Sequence, residues 1–168
     1  MSLKRPAPVT PLSWAVILTA YAAQLSPTTS SYADVQLTGL EALYNSTNGQ
    51  GWIVSTGWRD SSIGVCSWYG VTCNDGDNDG NVTGLSLPDN GLVGDVSEAG
   101  ELVNVTSLEE VDLSGNELYG SVPLIFGLMS RLETLDLSGN ELSYFPASWG
   151  SSAWALRHLN LQNNSISG

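Results

Sequence analysis

The stretch Leu108-Glu-Glu-Val-Asp-Leu-Ser-Gly-Asn-Glu-Leu118 recurs, with substitutions, four times in this chain of 168 residues. Each copy ends its spaced run of leucine-like residues on an asparagine. Successive asparagines lie 26, 24 and 24 residues apart, at Asn90, Asn116, Asn140 and Asn164. A repeat of this period indicates a solenoid of stacked units, and it favours a binding surface over an enclosed active site.

The alternation of leucine-like residues within each copy predicts a short strand with one buried face. One such strand cannot bury its leucines alone, whereas stacked copies bury them in a continuous column. The asparagine lies where the chain leaves the strand. Its amide offers N–H donors and a carbonyl acceptor, so stacked asparagines can satisfy the backbone groups of these turns. We therefore predict that the asparagines form a structural ladder, and we assign them no ligand.

The first 33 residues have the composition of a signal peptide. Lys4 and Arg5 form a basic start, and the apolar stretch Leu12–Ala20 is too short to span a bilayer as a stable helix. Small residues two positions apart mark cleavage sites at Ala22 and Ala33, and we favour the later site because the folded pattern starts just after it. A disordered N-terminus and an uncleaved anchor are the alternatives.

Removal of residues 1–33 would leave a strongly acidic chain. It would hold 17 acidic residues and three basic ones, Arg59, Arg131 and Arg157, for a net charge of −14. Nucleic acid and anionic membranes are poor partners for such a surface, whereas a basic protein or peptide would be attracted to it. Acidity that serves solubility alone is the alternative. The sequence implies no cofactor.

The two cysteines, Cys66 and Cys73, enclose the stretch Ser-Trp-Tyr-Gly-Val-Thr. Two cysteines cannot form a four-ligand zinc site by themselves. A secreted protein favours a disulfide between them. A bridge that closes so short a loop stabilises a fold by about 2–3 kcal/mol.

Four Asn-x-Ser/Thr sequences follow the predicted leader and support passage through a secretory pathway. They predict glycans at Asn45, Asn81, Asn104 and Asn163. Asn163 differs from the others because it lies at a step from strand to turn, where a glycan would cover the concave face of the repeats.

Residues 34–80 are interpreted as an N-terminal cap, and residues 81–168 as about four repeats of which the last is incomplete. A cap is physically required, because the end of a solenoid otherwise exposes its leucines. Residues 34–45 space their apolar side chains along one helical face, at Leu37, Leu40, Leu43 and Tyr44. We expect the cap to have a core of three tryptophans, Trp52, Trp58 and Trp68.

Two groups of residues resemble plant-type extracellular leucine-rich repeat proteins. The phrases Leu43-Tyr-Asn-Ser-Thr-Asn-Gly-x-Gly-Trp52, Gly57-Trp58 and Cys66-Ser-Trp-Tyr-Gly-Val-Thr-Cys73 are similar to the N-terminal cap of that family. The phrase Leu-x-Leu-x-x-Asn-x-Leu-x-Gly-x-(Ile/Val)-Pro is similar to its repeat, and residues 111–123 match it best, with Val111 in place of the family's leucine. The resemblance covers residues 34–168. It implies an α/β solenoid with a right-handed curve, short parallel strands inside, and irregular or 3₁₀ segments outside.

Two copies depart from the family's repeat. The first has Val96-Ser97 in place of Val-Pro, and the third has its proline one residue early, at Pro146. Trp149 and Trp154 occupy outer positions of the third copy. We expect these tryptophans to pack beneath the convex segment, with contact to a partner as the alternative.

The stretch Asp75-Gly-Asp77-Asn-Asp79-Gly has the spacing of a calcium loop, in which oxygen ligands converge on one side. The twelfth position, where a helix–loop–helix calcium site needs glutamate, is Ser86 in a predicted strand. Clustered Asp, Asn and Gly is also ordinary turn composition. We therefore assign no metal and keep the three aspartates as a calcium candidate that a titration would test.

The residues between the leucines should line the concave face. Adjacent parallel strands lie about 4.8 Å apart, so Asp112 and Asp136 should lie side by side, with Glu110 and Glu133 nearby. Such a stripe would suit a basic protein or peptide. Alternatively, the aspartates belong to the ordinary Leu-Asp-Leu-Ser phrase of the repeat. The predicted binding residues are Glu109, Glu110, Asp112, Glu133, Asp136, Arg157, His158 and Asn160.

No enzyme active site is predicted, because an open strand face gives little burial to separate the pKa values of two carboxylates. The chain stops four residues after Asn164 without a C-terminal cap, so we expect the N-terminal piece of a longer protein. The leading interpretation is a secreted or cell-surface, receptor-like module that recognises a protein or peptide and reaches the membrane only through a further C-terminal segment. The alternatives are a wall or matrix structural protein, a secreted inhibitor, and the ectodomain of a receptor kinase whose catalytic domain lies further along.

Overall fold

Helix α1 (Tyr32–Ser46) packs one face against the repeats that follow it. Leu40 and Leu43 on this face are completely buried. The computed structural model describes residues 32–74, 80–149 and 155–167. Because α1 already begins at position 32, the boundary expected after residue 33 falls within its first turn.

Gln36 and Gly39 set the position of α1 on the first repeat. The buried carboxamide of Gln36 accepts a hydrogen bond from the N–H of Val82 at 2.5 Å and donates one to the carbonyl of Gly80 at 3.4 Å. A Cβ added at Gly39 would lie 2.6 Å from Cγ2 of Val105. The helix can therefore approach this closely only with glycine at that position.

Short strands follow α1 and form two sheets within the described residues. In chain order they are β1 (Val71–Cys73), β2 (Val82–Ser86), β3 (Val93–Gly94), β4 (Glu110–Asp112), β5 (Glu117–Ser121), β6 (Thr134–Asp136), β7 (Glu141–Tyr144) and β8 (His158–Asn160). The larger sheet has the order β1-β2-β4-β6-β8 and the smaller one the order β3-β5-β7. Strands β2, β4, β6 and β8 are parallel, with one strand from each repeat, which confirms the predicted solenoid.

Strand β1 is antiparallel to β2, although only parallel strands were expected. Residues 74–81 connect these two strands, and so short a segment cannot make the crossover that a parallel pair requires. The disulfide between Cys66 and Cys73, with an S–S distance of 2.03 Å, joins the end of β1 to the loop before it. The cap therefore adds an edge strand to the sheet of the repeats.

The smaller sheet and helix α2 (Leu124–Leu128) occupy segments that were expected to be irregular or 3₁₀. Short 3₁₀ helices do occur, at Gly49–Gly51, Val65–Ser67, Val96–Glu98 and Gly100–Asn104. The smaller sheet forms because the repeat brings the residues after each ladder asparagine into parallel register. Strands β5 and β7 each bury one leucine, Leu118 or Leu142, which is too little alternation for a sequence pattern to reveal.

One continuous core runs from the cap into the third repeat. Leu85, Val111 and Leu135 lie on adjacent strands and are each no more than 1% exposed. In the cap, Trp58 contacts three rings at centroid distances of 5.9, 4.8 and 5.0 Å, those of Tyr44, Trp52 and Trp68. The three tryptophans thus form the core of the cap, as predicted.

Trp149 is buried beneath the outer segment of the third repeat. Its indole N–H donates a hydrogen bond to the carbonyl of Pro123 at 2.8 Å, and its ring lies 5.4 Å from that of Phe145. The packing predicted for Trp149 is therefore confirmed. Trp154 lies outside the described residues.

Candidate functional site

The outward side chains of the larger sheet form three rows across its concave face. The register pairs Glu110 with Thr134 and Asp112 with Asp136 on neighbouring strands. Counted from the cap, the rows are Glu109, Glu133 and Arg157; Gly84, Glu110, Thr134 and His158; and Ser86, Asp112, Asp136 and Asn160. All eight predicted binding residues therefore lie on one face, with Glu133 next to Glu109 rather than Glu110.

Asp112 and Asp136 each hold the serine two residues further along. Oδ1 of Asp112 accepts the N–H and O–H of Ser114 at 3.0 and 2.7 Å. Oδ1 of Asp136 accepts the same two groups of Ser138 at 2.8 and 2.6 Å. These bonds are a local turn motif of the repeat, in which a side chain caps nearby backbone. These bonds engage Oδ1 of each carboxylate. Oδ2 can accept a hydrogen bond from the neighbouring strand or from a ligand.

Asn160 continues the aspartate row into the fourth repeat. Its Nδ2 donates a hydrogen bond to Oδ2 of Asp136 at 2.9 Å. Burial raises the pKa of Asp136, but the hydrogen bonds from Ser138 and Asn160 outweigh it and hold that pKa below its ordinary value. Asp136 is therefore a carboxylate at neutral pH, with both oxygens accepting hydrogen bonds.

The row of Glu109, Glu133 and Arg157 changes sign at the fourth repeat. Nε of Arg157 lies 3.3 Å from Oε2 of Glu133, and the two side chains are 70% and 53% exposed. An ion pair this exposed contributes little to stability. Because Arg157 and His158 occupy β8 and the turn before it, the negative charge of the face is concentrated on the second and third repeats.

Two open depressions lie on this face. One, of about 360 Å³, is lined by Thr72, Thr83, Gly84, Leu85, Ser86, Glu109 and Glu110. The other, of about 380 Å³, is lined by Thr134, Leu135, Asp136, Arg157, His158, Leu159, Asn160 and Gln162. The sequence offered no sign of Thr72, because it belongs to the cap and reaches the face only through the antiparallel pairing of β1 with β2. Both depressions suit side chains of a partner laid across the sheet.

Three of the ladder asparagines join each repeat to the one before it. Oδ1 of Asn116 accepts the N–H of Leu92 at 3.0 Å, and Oδ1 of Asn140 accepts that of Leu118 at 3.0 Å. Asn164 makes the equivalent bond to Leu142 at 2.9 Å. Their Nδ2 groups donate to backbone carbonyls of their own turn and of the preceding repeat. These amides serve the backbone and leave the concave face to other side chains.

Asn90 makes the corresponding bonds to the cap. Its Oδ1 accepts the N–H of Val54 at 2.7 Å, and its Nδ2 donates to the carbonyl of Val54 at 2.9 Å. The cap therefore substitutes for a preceding repeat at this end of the ladder.

The residue before each ladder asparagine has a left-handed backbone. These residues have φ angles of 48°, 66°, 64° and 55° at Asp89, Gly115, Gly139 and Asn163. Glycine, asparagine and aspartate are the residues that adopt this conformation most readily. The turn they form directs the chain from the larger sheet to the smaller one.

The four predicted glycan acceptors lie in different settings. Asn45, Asn104 and Asn163 are exposed, and Asn81 is half-buried at the start of β2. Oδ1 of Asn45 accepts a hydrogen bond from Arg59 at 3.2 Å, and Nδ2 of Asn104 donates to Glu101 at 2.8 Å. Glycosylation at these positions stays a prediction.

The calcium candidate, Asp75, Asp77 and Asp79, lies outside the described residues. Elsewhere in the described ranges, no three His, Cys, Asp or Glu side chains converge as metal ligands would. None of the helices in those ranges is long and apolar enough to cross a membrane.

A solenoid with a cap and an open, charged inner sheet is the architecture of a repeat protein that binds its partners on a surface. Two protein families match the sequence. The family described as "Leucine rich repeat N-terminal domain" matches residues 35–74, and the family "Leucine rich repeat" matches residues 106–166. The chain therefore belongs to the plant-type leucine-rich repeat proteins.

Named relatives are plant receptors. The chain is 41% identical over 71 residues to "Receptor protein kinase WSS1" of Oryza sativa subsp. japonica, a match that covers 42% of this chain and 7% of that protein. A chain of the BIR3–SERK2 complex from Arabidopsis thaliana is similar with a TM-score of 0.61 and 31% identity, over 76% of this chain and 68% of that one. A chain of the PEPR1–AtPEP1 structure is similar with a TM-score of 0.64 and 29% identity, over 79% of this chain and 18% of that one. The chain thus resembles the ectodomains of plant leucine-rich repeat receptors, and spans less than a tenth of the curated receptor kinase.

Proposed function

We propose that this chain is an extracellular recognition module of a receptor-like protein, and that it binds a protein or peptide across the concave face of its larger sheet. The observation that carries the proposal is the register of β4 and β6, which sets Asp112 beside Asp136 on an open surface. The similarity to receptors, and to a chain solved in the BIR3–SERK2 complex, supports a protein or peptide as the partner. We assign no reaction to the chain.

The charge of the face supports a basic partner. Glu109, Glu110 and Glu133 are exposed, and together with the two aspartates they place five carboxylates on two neighbouring repeats. A guanidinium group can donate two parallel hydrogen bonds to a carboxylate, which gives both affinity and orientation. The guanidinium of Arg157 would then repel a cationic segment at the fourth repeat and fix the direction in which it lies.

The setting of the module is part of the proposal. We infer that residues 1–33 direct the chain into a secretory pathway, that the protein acts in a secreted or cell-surface form, and that Asn45, Asn81 and Asn104 accept glycans. A glycan at Asn163 would cover the concave face, so binding across that face requires Asn163 to be unmodified. The match covers 7% of the rice receptor kinase. We further propose that the whole protein, like a receptor kinase, carries a membrane span and a kinase domain.

The test is direct binding of synthetic peptides to the full chain. One peptide series carries arginines at alternate positions, and a matched series of equal length carries glutamines instead. We expect saturable binding of the arginine series that weakens with salt, because exposed charges are screened over about 10 Å at 0.1 M salt. If neither series binds saturably, or if both bind equally well, the basic-partner proposal is wrong.

A matched pair of variants locates the binding. Glu110→Gln/Asp112→Asn removes two charges from the concave face, and Glu98→Gln/Glu101→Gln removes two from the outer 3₁₀ segments. The first should lower the affinity by about tenfold or more and the second by less than about twofold, as expected when contacts rather than net charge govern the complex. Equal losses in both variants would indicate non-specific attraction to an acidic protein.

A further inference from the structure

The smaller sheet carries a row of exposed apolar side chains that the concave face does not use. Its outward positions include Val93 on β3, Tyr119 on β5 and Tyr144 on β7, which are 36%, 49% and 55% exposed. Ile53, the most exposed large apolar side chain among the described residues at 73%, lies beside the turn that leads into β3. We call this exposed side of the smaller sheet the lateral face; its residues are Ile53, Val93, Glu117, Tyr119, Glu141 and Tyr144.

The register makes this row continuous. Val93 pairs with Glu117, and Tyr119 lies two residues beyond Glu117 on the same side of β5. Tyr144 pairs with Ser121, two residues beyond Tyr119, after a shift in register between Gly120 and Ser121. Adjacent strands lie about 4.8 Å apart, so a tyrosine ring can reach over the neighbouring strand. Val93, Tyr119 and Tyr144 therefore cross the three strands in one diagonal line.

Ile53 extends the row beyond β3. Its N–H donates a hydrogen bond to the carbonyl of Asn90 at 3.0 Å. Its side chain would lie 3.5 Å from a Cβ placed at Gly91, two residues before Val93. The cap thus contributes the first apolar side chain of the lateral face, and the three repeats contribute the others.

The lateral face is also acidic. Glu117 lies directly opposite Val93, and Glu141 lies directly opposite Tyr119, so that a carboxylate accompanies the apolar row on two strands. No outward side chain of β3, β5 or β7 is basic. A second copy of the chain would bring like charges together and is a poor occupant. A partner with complementary charge would instead offer a cation to the carboxylates and the tyrosine rings.

We propose that the lateral face docks a second protein, one that presents an arginine or lysine next to an apolar side chain. A cation over a tyrosine ring and beside a carboxylate is favoured by both groups. Tyrosine is enriched at the energetic centres of protein interfaces, and Ile53 and Val93 add exposed apolar area to the same face. This face belongs to a different sheet from the concave site, so the chain can hold two partners at once.

The test starts from a random peptide library displayed on phage and selected on the full chain. Enriched peptides are synthesised, and their Kd is measured with the wild type and with Tyr119→Ser, Tyr144→Ser and Glu117→Lys. We expect a class of peptides that carries Arg or Lys beside an apolar residue. Its affinity should fall by about tenfold or more with each tyrosine change, the size of a hot-spot effect, and should also fall with Glu117→Lys.

Two controls separate this face from other surfaces. Tyr69→Ser removes a similarly exposed tyrosine of the cap, and Glu110→Gln/Asp112→Asn alters only the concave face. Both should change the affinity of this class by less than about twofold, as changes outside an interface do. Melting temperatures of all variants show whether each is folded, and Glu117→Lys tests the face without touching a tyrosine.

Three results would overturn the proposal. The first is that no selected peptide depends on Tyr119, Tyr144 or Glu117. The second is that the dependent peptides carry no basic residue. The third is that sedimentation shows a dimer of the wild type that Tyr119→Ser disrupts, because a second copy would then occupy the face. Loss of peptide binding at the concave face alone leaves these measurements unaffected, so the two proposals fail separately.

Discussion

Nδ2 of Asn160 donates a hydrogen bond to Oδ2 of Asp136 at 2.9 Å, across the boundary between the third and fourth repeats. Ser138 occupies the other carboxylate oxygen, so Asp136 is held on both sides. The bond links the acidic part of the concave face to its polar end. Because the bond lowers the pKa of Asp136, that pKa reports whether the third and fourth repeats remain in contact.

Asn160→Ala should raise the pKa of Asp136 toward its ordinary value, because it removes a hydrogen bond that stabilises the carboxylate. Ser138→Ala should raise it as well. A carbon-detected NMR titration of the carboxyl group measures both effects, and Ser121→Ala on the smaller sheet is the control. An unchanged pKa in both variants would show that these bonds do not hold the carboxylate.

The same shift predicts a dependence of stability on pH. The folded-state pKa of Asp136 lies below the unfolded value of about 3.9, so its contribution is fully present above that pH and is lost as the pH falls through the folded pKa. The difference in unfolding free energy between the wild type and Asp136→Asn should therefore shrink on acidification. A difference that stays constant from neutral pH into the acid range would contradict this sign.

Asn140→Ala should lower the free energy of unfolding by about 1–3 kcal/mol, because it leaves the buried N–H of Leu118 without its acceptor. The carbonyls of Leu113 and Leu137 lose one donor each but keep the amides of Asn116 and Asn164. Asn140→Asp should also be destabilising, since a carboxylate cannot donate to those carbonyls. Urea unfolding at neutral pH measures both. Gln162→Ala, at an exposed position, should stay within about 0.5 kcal/mol of the wild type.

Gly139→Ala should cost about 1–2 kcal/mol, because φ at this position is +64° and an added Cβ would lie 3.3 Å from the backbone N of Gly115. Gly139→Asn should cost less, since Asn163 adopts φ of 55° at the equivalent position of the next repeat. Gly100→Ala is the control, because a Cβ there meets nothing within 4 Å. Thermal unfolding should rank the variants with Gly139→Ala lowest; equal values for Ala and Asn at 139 would refute the backbone explanation.

The double variant Cys66→Ser/Cys73→Ser should lower the free energy of unfolding by about 2–3 kcal/mol, because the unfolded chain without the disulfide has more conformational entropy. The loss should appear first in β1, as faster amide exchange at Val71 and Thr72, because β2 is the one strand that pairs with this edge strand in the part of the chain that the structure describes. A reducing agent should have the same effect on the wild type. It should have none on the double variant, and a further loss there would mean that another process is being measured.

Gln36→Leu should destabilise the protein by about 1–3 kcal/mol although it adds an apolar side chain, because it leaves the buried N–H of Val82 unpaired. Denaturant unfolding measures the change. Thr38→Ala, on the exposed side of the same helix, should have little effect. A neutral result for Gln36→Leu would show that water satisfies the N–H of Val82 instead.

The spacing of the repeats was sufficient to predict the four parallel strands of the larger sheet and their register. Leu85, Val111 and Leu135 recur with the period of the repeat, so stacking them forces the residues between them into rows. The neighbourhood of Asp112 and Asp136 follows directly from that constraint. The tryptophans of the cap were predictable for a similar reason, because large side chains near a solenoid end must be buried together.

Other features depend on contacts that no local pattern contains. Gln36 bonds to Val82, which is 46 residues away, and a single polar residue on a helix gives no sign of such a partner. The antiparallel direction of β1 depends on the short connection to β2 rather than on the residues of either strand. The lateral face was also missed, because its strands bury one residue each and therefore show no alternation.

The ladder of asparagines makes the repeat a transferable unit. Each amide oxygen accepts the N–H that lies two residues beyond the previous ladder asparagine, so the junctions between repeats share this bond. A segment of 24 residues could be duplicated or deleted at such a junction, and the flanking turns would meet equivalent partners. The length of the molecule, and with it the number of side chains that it offers on either sheet, can therefore change by unequal recombination without any new bonding scheme.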